Sequence, residues 1–579
     1  MLKRRTVSII RDLRSLSRGG RLRLHLPLTL KYNEFKCIWK QKFDTRENLK
    51  ENVMGYLEEF KPDLQEFYDK TKKFADKEMT VAEYKGFSGG FGSYAQRGAE
   101  SHMLRLRMTG GRITKDMLKG LVDILDKYPD KRLKLTTCES IQIHDLKADE
   151  LCDSILPAWE AGMITRGGGG DFPRNVMCSP LSGVGEGENF NVMPYAAAAG
   201  EYLMSFIKGP KFPRKLKCAF SNSPANVVHA TIRDLGFVSN PDGTFDVYIC
   251  GGMGNNPKVG VKAADKVDPS KILYYIKAMV ETFKAYGDYE NRGRARTRYM
   301  QEKLGVDGLK EAFNEKLKEA FASEKLDLDN ESIKKAVAAE DAGLKEKGKQ
   351  SAEADKDRLS GEKRVIKERQ DGLYAVVYHP IGGVFDPAKL KEIYETIKDA
   401  ELSELRVGPD ESLYIINLNA AETLNALKAT EDGARDLFET SVACIGAATC
   451  QVGLADSQGL LKACVEEIRK HDFADGVLPR IYISGCPSSC TGHQASGFGF
   501  RGALKKTDNG QKIGFAVFIG GDERQGSELL AGQGPVIIAE DIPKFLAELG
   551  DMVTEAKTTY DKWITENREK LDALIEKYA

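Results

Sequence analysis

Residues 104–146 return as residues 376–418 at a constant offset of 272. Gly110-Gly111 falls on Gly382-Gly383, Leu118 on Leu390, Leu133 on Leu405, and Ile141 and Ile143 on Leu413 and Ile415. Each copy reads as a β-α-β-β unit. In the first, Leu104, Leu106 and Met108 alternate with Arg105 and Arg107, so one strand face is apolar and the other charged. Leu118, Leu121, Val122 and Leu125 then recur at helical spacing, and strands follow around Arg132–Thr136 and Ser140–His144. A second correspondence lies downstream of each copy. Phe220-Ser-Asn-Ser-Pro224 through Gly236-Phe237 falls on Ile483-Ser-Gly-Cys-Pro487 through Gly499-Phe500 at offset 263, and Val247–Gly252 resembles Ala516–Gly521. The chain is therefore a duplication of two large halves.

The halves have divided their chemistry. The second holds Cys444-x5-Cys450 and, 35 residues on, Cys486-x3-Cys490. Four thiolates on two short loops are what an iron–sulfur cluster needs. Zinc sites favour gaps of two to four residues within a pair, which the five-residue gap fits poorly, and the bland alternative is two buried cysteine pairs. Cys486 and Cys490 align with Ser223 and Val227 of the first half, so that half lacks them. It has bases instead: Arg105 and Arg107, which align with Val377 and His379, then Phe172-Pro-Arg174-Asn175-Val and Pro213-Arg-Lys215-Leu-Lys217-Cys. In an extended segment Lys215 and Lys217 project to one side and Leu216 and Cys218 to the other. Guanidinium forks and ammonium groups beside Gly-rich loops suit a small oxyanion or a polycarboxylate.

Composition narrows the setting. Lys+Arg and Asp+Glu both number 86 in 579 residues, so bulk charge favours neither nucleic acid nor a membrane surface. Eleven scattered Cys do not form a secreted disulfide framework, and no apolar run approaches the roughly 18–20 residues of a membrane span. A cytoplasmic, reducing location is expected. The first 31 residues carry nine Lys/Arg and one acid, Asp12. They read as a tail or a start upstream of the true one, with an organelle presequence as the alternative. Residues 49–73 read as an amphipathic helical stretch and Gly86–Tyr94 as a turn-rich arm. Residues 311–370 hold 29 charged residues in 60 and read as solvated helix joining the halves.

Taken together, the cysteine spacing with its Gly-Cys-Pro-x-x-Cys ending, the duplication, the Arg-Asn-Val segment and the Arg-Lys-x-Lys segment resemble the sirohaem sulfite and nitrite reductases, over about residues 85–560. The resemblance implies an α+β fold: internally duplicated, with ferredoxin-like half-domains plus two larger mixed α/β cofactor-binding domains related by a pseudo-twofold. The expected segments are a basic extension (1–34), a helical and Gly-rich arm (35–100), half-domain 1 (101–160), a sirohaem and anion-binding domain (161–310), a charged linker (311–370), half-domain 2 (371–436) and a 4Fe–4S and sirohaem-binding domain (437–579). It implies a 4Fe–4S cluster on Cys444, Cys450, Cys486 and Cys490, with Cys490 bridging to the sirohaem iron. Arg105, Arg174, Lys215 and Lys217 would line the face that takes the anion, and Gln142 and Asn175 would help bind the cofactor. Where the family has Thr-x-Arg-Gln, this chain has Thr136-Thr-Cys138-Glu139, so an Arg near the sirohaem carboxylates is replaced. Cys464 reads as core, and Cys178 as a neighbour of the haem or unassigned.

The implied reaction is six-electron reduction of sulfite to sulfide, with nitrite to ammonia as the alternative. Lys217 matches the sulfite branch, where the nitrite branch tends to carry Asn, whereas Cys444-x-Gly446 and Ser489-Cys490 look closer to the nitrite branch. No G-x-G-x-x-G follows a strand and no flavin domain is evident, so the electrons are expected from a separate ferredoxin, or from a flavoprotein.

Overall fold

A computed structural model describes residues 55–579 apart from 210 and 509. The basic segment 1–34, and the part of the helical stretch before residue 55, lie outside the described residues.

The first half supplies β1 (Ser93–Ala95), β2 (His102–Leu106), β3 (Arg112–Ile113), β4 (Arg132–Thr136), β5 (Ser140–Leu146), β6 (Met177–Cys178), β7 (Cys218–Ser221), β8 (Leu235–Ser239), β9 (Phe245–Ile249) and β10 (Val261–Val267). The second supplies β11 (Val365–Lys367), β12 (Tyr374–Tyr378), β13 (Val384–Phe385), β14 (Glu404–Val407), β15 (Leu413–Leu418), β16 (Val442–Ala443), β17 (Tyr482–Ser484), β18 (Phe498–Thr507), β19 (Gly510–Ile519) and β20 (Val536–Ile538). They form four sheets of five strands, ordered β1-β2-β5-β4-β13, β11-β12-β15-β14-β3, β10-β9-β8-β7-β6 and β16-β17-β18-β19-β20. In the third sheet β6, β7 and β8 run parallel while β9 and β10 return antiparallel. The fourth repeats that pattern strand for strand. The α+β duplication expected from the repeats is the observed architecture.

The two ferredoxin-like units exchange edge strands. β13 pairs with β4, Val384 opposite Lys134, and β3 pairs with β14, Ile113 opposite Leu405. Each exchange hangs on a Gly-Gly turn. Gly111 has φ +66°, and a Cβ there would stand 2.3 Å from the Val407 carbonyl oxygen. Its counterpart Gly383 has φ +67°. Only Gly adopts this backbone at such a distance without strain. Leu104, Leu133 and Ile143 of one unit join Val376, Leu405 and Ile415 of the other in a single core. At about 1.5–3 kcal/mol per buried aliphatic side chain, that shared core is what binds the halves. Ionic contacts add specificity: Arg112 Nε lies 2.7 Å from Glu404 Oε2, and Arg406 Nη2 lies 2.8 Å from Glu404 Oε1.

Helix Lys115–Leu125 begins at Thr114, whose side chain accepts from Met117 N. It buries Leu118, Leu121, Val122 and Leu125, the residues that its periodicity picks out. Two local expectations need correction. The helical stretch after residue 55 is interrupted by a turn at Lys61–Asp63, because Pro62 cannot donate to the ladder, before helix Leu64–Ala75. The turn-rich arm in fact starts as helix Val81–Ser88, held by a capping box between Thr80 and Glu83. The charged linker is helical over Tyr299–Ser323, Asn330–Gly348 and Glu353–Arg358. It is not purely solvated: Lys347 is buried, donates to the Asn417 carbonyl at 2.6 Å and pairs with Glu422 at 2.8 Å. No described helix is long and apolar enough to cross a membrane.

Candidate functional site

The cysteine loops leave the C-terminal ends of two neighbouring parallel strands. Cys444 directly follows β16, its N–H donating to the Ile483 carbonyl at 3.0 Å, and Cys486 follows β17 after Gly485. The Cys444 sulfur accepts from Gly485 N at 3.2 Å and lies 3.1 Å from Ser457 Oγ. Cys450 is brought round by its N–H to the Gly446 carbonyl at 2.8 Å, a turn in which Gly446 takes φ +72°. Ser489 has φ +50°, and its hydroxyl donates to Gln494 Oε1 at 2.5 Å, fixing the backbone that presents Cys490.

The sulfurs of Cys444, Cys450 and Cys486 all stand within electrostatic reach of Cys490. Burial first, and then Cys444, push the Cys490 thiol up to about 12, with Cys486 and Cys450 adding to the rise and Lys215 opposing it. Burial likewise raises Cys444. Cys490 carries exposed surface although much of the protein stands round it, and Lys215 lies within electrostatic reach of its sulfur. Among the described residues no three His, Cys, Asp or Glu side chains close on one metal ion. A cuboidal cluster asks for a different arrangement, since it spreads its thiolates over four corners. Cys490 and Cys444, whose ionisation is opposed by burial and by neighbouring thiols, are stabilised as thiolates by a cationic metal centre, so this donor set fits such a cluster.

The first-half bases come close to this loop, Lys215 within electrostatic reach of Cys490. Arg105 Nη1 and Arg174 Nη1 converge on the Gly168 carbonyl at 2.7 and 2.9 Å, and Arg174 Nη2 donates to the Gly170 carbonyl at 2.6 Å. Arg174 Nε is buried without a partner. Lys215 and Lys217 flank buried Leu216, which bridges to Pro173, so both project to one side as the alternation requires. Lys217 Nζ donates to Cys138 Sγ at 3.1 Å, and Thr137 Oγ1 donates to the Cys490 carbonyl at 2.7 Å. The cluster loop and the basic face therefore meet at residues 137–138.

The electrostatics are lopsided. Burial, and then Arg296, Lys217 and Arg174, hold Lys215 well below the ordinary lysine value, with Cys490 pulling the other way. Burial and Arg105 bring Arg174 down to about 10, against Tyr94 and Cys138. Burial also lowers Lys217. Buried cations that depress one another's proton affinity call for an anion. An unpartnered guanidinium nitrogen and crowded ammonium groups thus fit both a polycarboxylate cofactor and an oxyanion. Cys138 responds to the same field. Burial opposes its ionisation, yet Lys217 and Arg233 bring the thiol down to about 6.

Gln142 and Asn175 stand one layer back. With its amide oxygen toward Arg105, Gln142 accepts from Nε at 3.0 Å and Nη2 at 2.5 Å and donates to His144 Nε2 at 3.1 Å. Asn175 Oδ1 accepts from Met108 N, and Nδ2 donates to the Cys138 and Glu139 carbonyls, each at 3.0 Å. Both therefore hold residues of the face in place. Arg107 does likewise, buried and donating to the Arg166, Pro173 and Arg174 carbonyls. Cys464 is buried in the core, and Cys178, also buried, donates its N–H to Glu139 Oε2 at 2.9 Å.

Sequence reasoning missed Arg233, Asp234 and Arg296. Fully buried Asp234 accepts from Lys217 N at 2.8 Å and from Arg296 Nη2 at 2.9 Å, anchoring the basic strand from behind. The run Arg292-Gly-Arg294-Ala-Arg296-Thr-Arg298 was the available signal. Arg97, also missed, clamps the cluster loop from the first half, donating to the Cys450 and Gly453 carbonyls at 3.2 and 2.7 Å.

The profile of the nitrite and sulphite reductase 4Fe-4S domain matches residues 169–321 and 436–578, and that of the nitrite/sulfite reductase ferredoxin-like half domain matches 94–154. A ferredoxin–nitrite reductase of Synechococcus elongatus is 25% identical over 478 residues, covering 77% of this chain and 85% of that one. The sulfite reductase [NADPH] hemoprotein beta-component of Staphylococcus haemolyticus is 24% identical over 441 residues, covering 68% and 72%. The solved structure of the Mycobacterium tuberculosis NirA protein superposes with a TM-score of 0.66 at 20% identity, covering 87% of this chain and 92% of that one, which shows the common fold. The chain belongs to the family of nitrite and sulphite reductases, oxidoreductases that carry a 4Fe–4S cluster and sirohaem.

Proposed function

We propose that the protein reduces sulfite to sulfide with six electrons from a separate ferredoxin. The observation that carries this reading is the pair of ammonium groups, Lys215 and Lys217, on one side of the segment that bridges to Pro173, with Lys215 within electrostatic reach of Cys490. Cys444, Cys450, Cys486 and Cys490 would hold the cluster, and Cys490 would also help to hold the sirohaem. When bound, the coupled sirohaem and cluster supply the electrons and the iron to which the anion attaches. The chain's own residues do the rest. Arg105 and Arg174, their positions set by Gly168, Gly170 and Gln142, supply fixed positive charge for the anion and the cofactor carboxylates. Lys215, with its lowered pKa, gives up a proton readily to an oxygen that leaves as water.

Reduction of nitrite to ammonia is the second reading, and one observation favours it. Lys217 Nζ is already engaged by Cys138 Sγ, which lessens the positive charge left for a doubly charged anion. Steady-state reduction of sulfite and of nitrite with a reduced viologen decides between them, and Lys217→Asn should lower sulfite turnover more than nitrite turnover. Equal losses would remove Lys217 as the discriminating residue. The donor is tested separately, by replacing the viologen with reduced ferredoxin or with a flavoprotein.

A further inference from the structure

The two cysteine pairs are not held by one half alone. The first member of each pair leaves a strand of its own sheet, Cys444 after β16 and Cys486 after β17. The second member lies out on a loop, and there the other half takes hold. Arg97 Nη2 donates to the Cys450 carbonyl at 3.2 Å and to the Gly453 carbonyl at 2.7 Å, and Arg97 N donates to the Thr449 carbonyl at 2.8 Å. Arg132 Nη2 adds a bond to Thr449 Oγ1 at 3.3 Å. From the loop itself the Cys450 carbonyl accepts only Gly453 N, at 3.2 Å. In the second pair, Thr137 Oγ1 donates to the Cys490 carbonyl at 2.7 Å. The half that carries neither pair thus reaches the backbone of one cysteine in each.

The duplication provides an internal comparison. At offset 272 Arg97 falls on Arg369 and Thr137 on Pro409. Arg369 holds the loop that follows β6, with its N–H on the Val184 carbonyl and its Nε on the Gly183 carbonyl, each at 2.9 Å. The clamp as such is therefore a property of the fold, present also where there is no cysteine pair. What differs is charge. Arg369 stands 3.1 Å from Asp341 and 3.5 Å from Glu188, which neutralise it. Arg97 spends its guanidinium on carbonyls and pairs with no carboxylate among the described residues. Pro409, for its part, has no hydroxyl to match that of Thr137. A cluster held by four thiolates is anionic and gains a further negative charge on reduction, and the hydrogen bonds and charges around it set its potential. An uncompensated guanidinium on the backbone of a ligand favours the reduced form. Arg97 is exposed, so solvent and salt reduce the effect without removing it.

We propose that Arg97 and Thr137 are positioning residues for the cluster, contributed by the half that carries none of its ligands, and that the charge of Arg97 favours the cluster's reduced state. The proposal rests on the assignment of the four cysteines to the cluster, and not on which anion is reduced. The test is a redox titration of the cofactor-loaded full chain without substrate, followed by electron paramagnetic resonance, together with the rate at which a ferrous chelator removes iron. Arg97→Met should lower the reduced-to-oxidised ratio at the parent midpoint by about three- to tenfold, tenfold being about 59 mV for one electron. Arg97→Lys, which keeps the charge, should restore most of that ratio, and high salt should shrink the difference between parent and Arg97→Met. Arg369→Met, which removes the matching clamp, should leave the midpoint in place. Arg97→Met and Thr137→Val should each speed iron removal, by about tenfold. An unmoved midpoint in Arg97→Met, an equal fall in Arg97→Lys or Arg369→Met, or parent-like iron release in both Arg97→Met and Thr137→Val would overturn the proposal. A Cys450→Ser chain that keeps a normal cluster would overturn it together with the ligand assignment, whereas loss of the cluster in that variant leaves the assignment standing and the Arg97 result to decide.

Discussion

The pair between Cys138 and Lys217 offers the sharpest test of the electrostatics. Lys217 Nζ sits 3.1 Å from the sulfur, and Lys217 followed by Arg233 overcomes burial to bring the thiol from 9.0 down to about 6. At pH 7 that leaves about nine tenths of Cys138 as thiolate, against about 1% for an unperturbed thiol. The rate of alkylation does not report this directly. A drop of about three pH units in pKa also lowers intrinsic nucleophilicity, by roughly 30-fold at a Brønsted slope near 0.5, which cancels most of the ~90-fold gain in thiolate. The midpoint is the decisive quantity. Labelling with iodoacetamide between pH 4.5 and 9.5, read by mass spectrometry on the peptide carrying Cys138, should titrate with a midpoint near 6. Lys217→Met removes the largest cause that lowers the thiol and leaves burial opposed only by Arg233 and Arg105, so it should move that midpoint upward by about a unit or more. The depressed pKa also stabilises the fold: the contribution is complete above about 9.0, shrinks as pH falls below that value and is lost below about 6. A midpoint that stays near 9.0 in the parent, or one that Lys217→Met leaves in place, would refute the pairing.

Other variants probe the rest of the site and the frame that holds it. Cys490→Ser should lose the coupling between cluster and haem; a normal absorption spectrum with full turnover in that variant would contradict the assignment. Because Lys215 is held below the 10.5 of a free lysine, its proton leaves earlier as pH rises, and kcat/KM should fall on the alkaline side below that value. Lys215→Arg should flatten that limb in a pH–rate profile, and an unchanged limb would assign the proton elsewhere. Glu404→Gln leaves buried Arg406 and half-buried Arg112 without their carboxylate and should cost about 3–5 kcal/mol in a urea titration, with a loss below about 1 kcal/mol arguing against these ion pairs.

What could be read from the sequence was whatever repeats or clusters locally. The offset of 272 marked β2, β4 and β5 and their twins because each strand is long enough to alternate. The basic face at Lys215 and Lys217 was legible for the same reason, since Leu216 and Cys218 mark the buried side. β3 and β13 are two residues long and pair with strands hundreds of residues away, so no local period announces them. Asp234 and Arg296 matter through each other, 62 residues apart, and a lone buried acid carries no signature. The helix at Val81–Ser88 was legible in principle: Thr80 and Glu83 spell a capping box that the nearby glycines obscured. Cys138 stood out only as a departure, and its meaning waited on the position of Lys217.

The exchanged edge strands set an order on synthesis. About 250 residues separate β4 from β13, the strand that completes its sheet. At about 5–20 residues per second, a ribosome leaves the edge of β4 unpaired for on the order of 10–50 s after β4 has emerged. Throughout that interval the nascent first half presents an open β-edge, the kind of surface that templates association with other chains. Newly made protein should therefore depend on chaperones most while the linker is being translated, and a stop codon placed before Val384 should yield an insoluble fragment in place of a stable half.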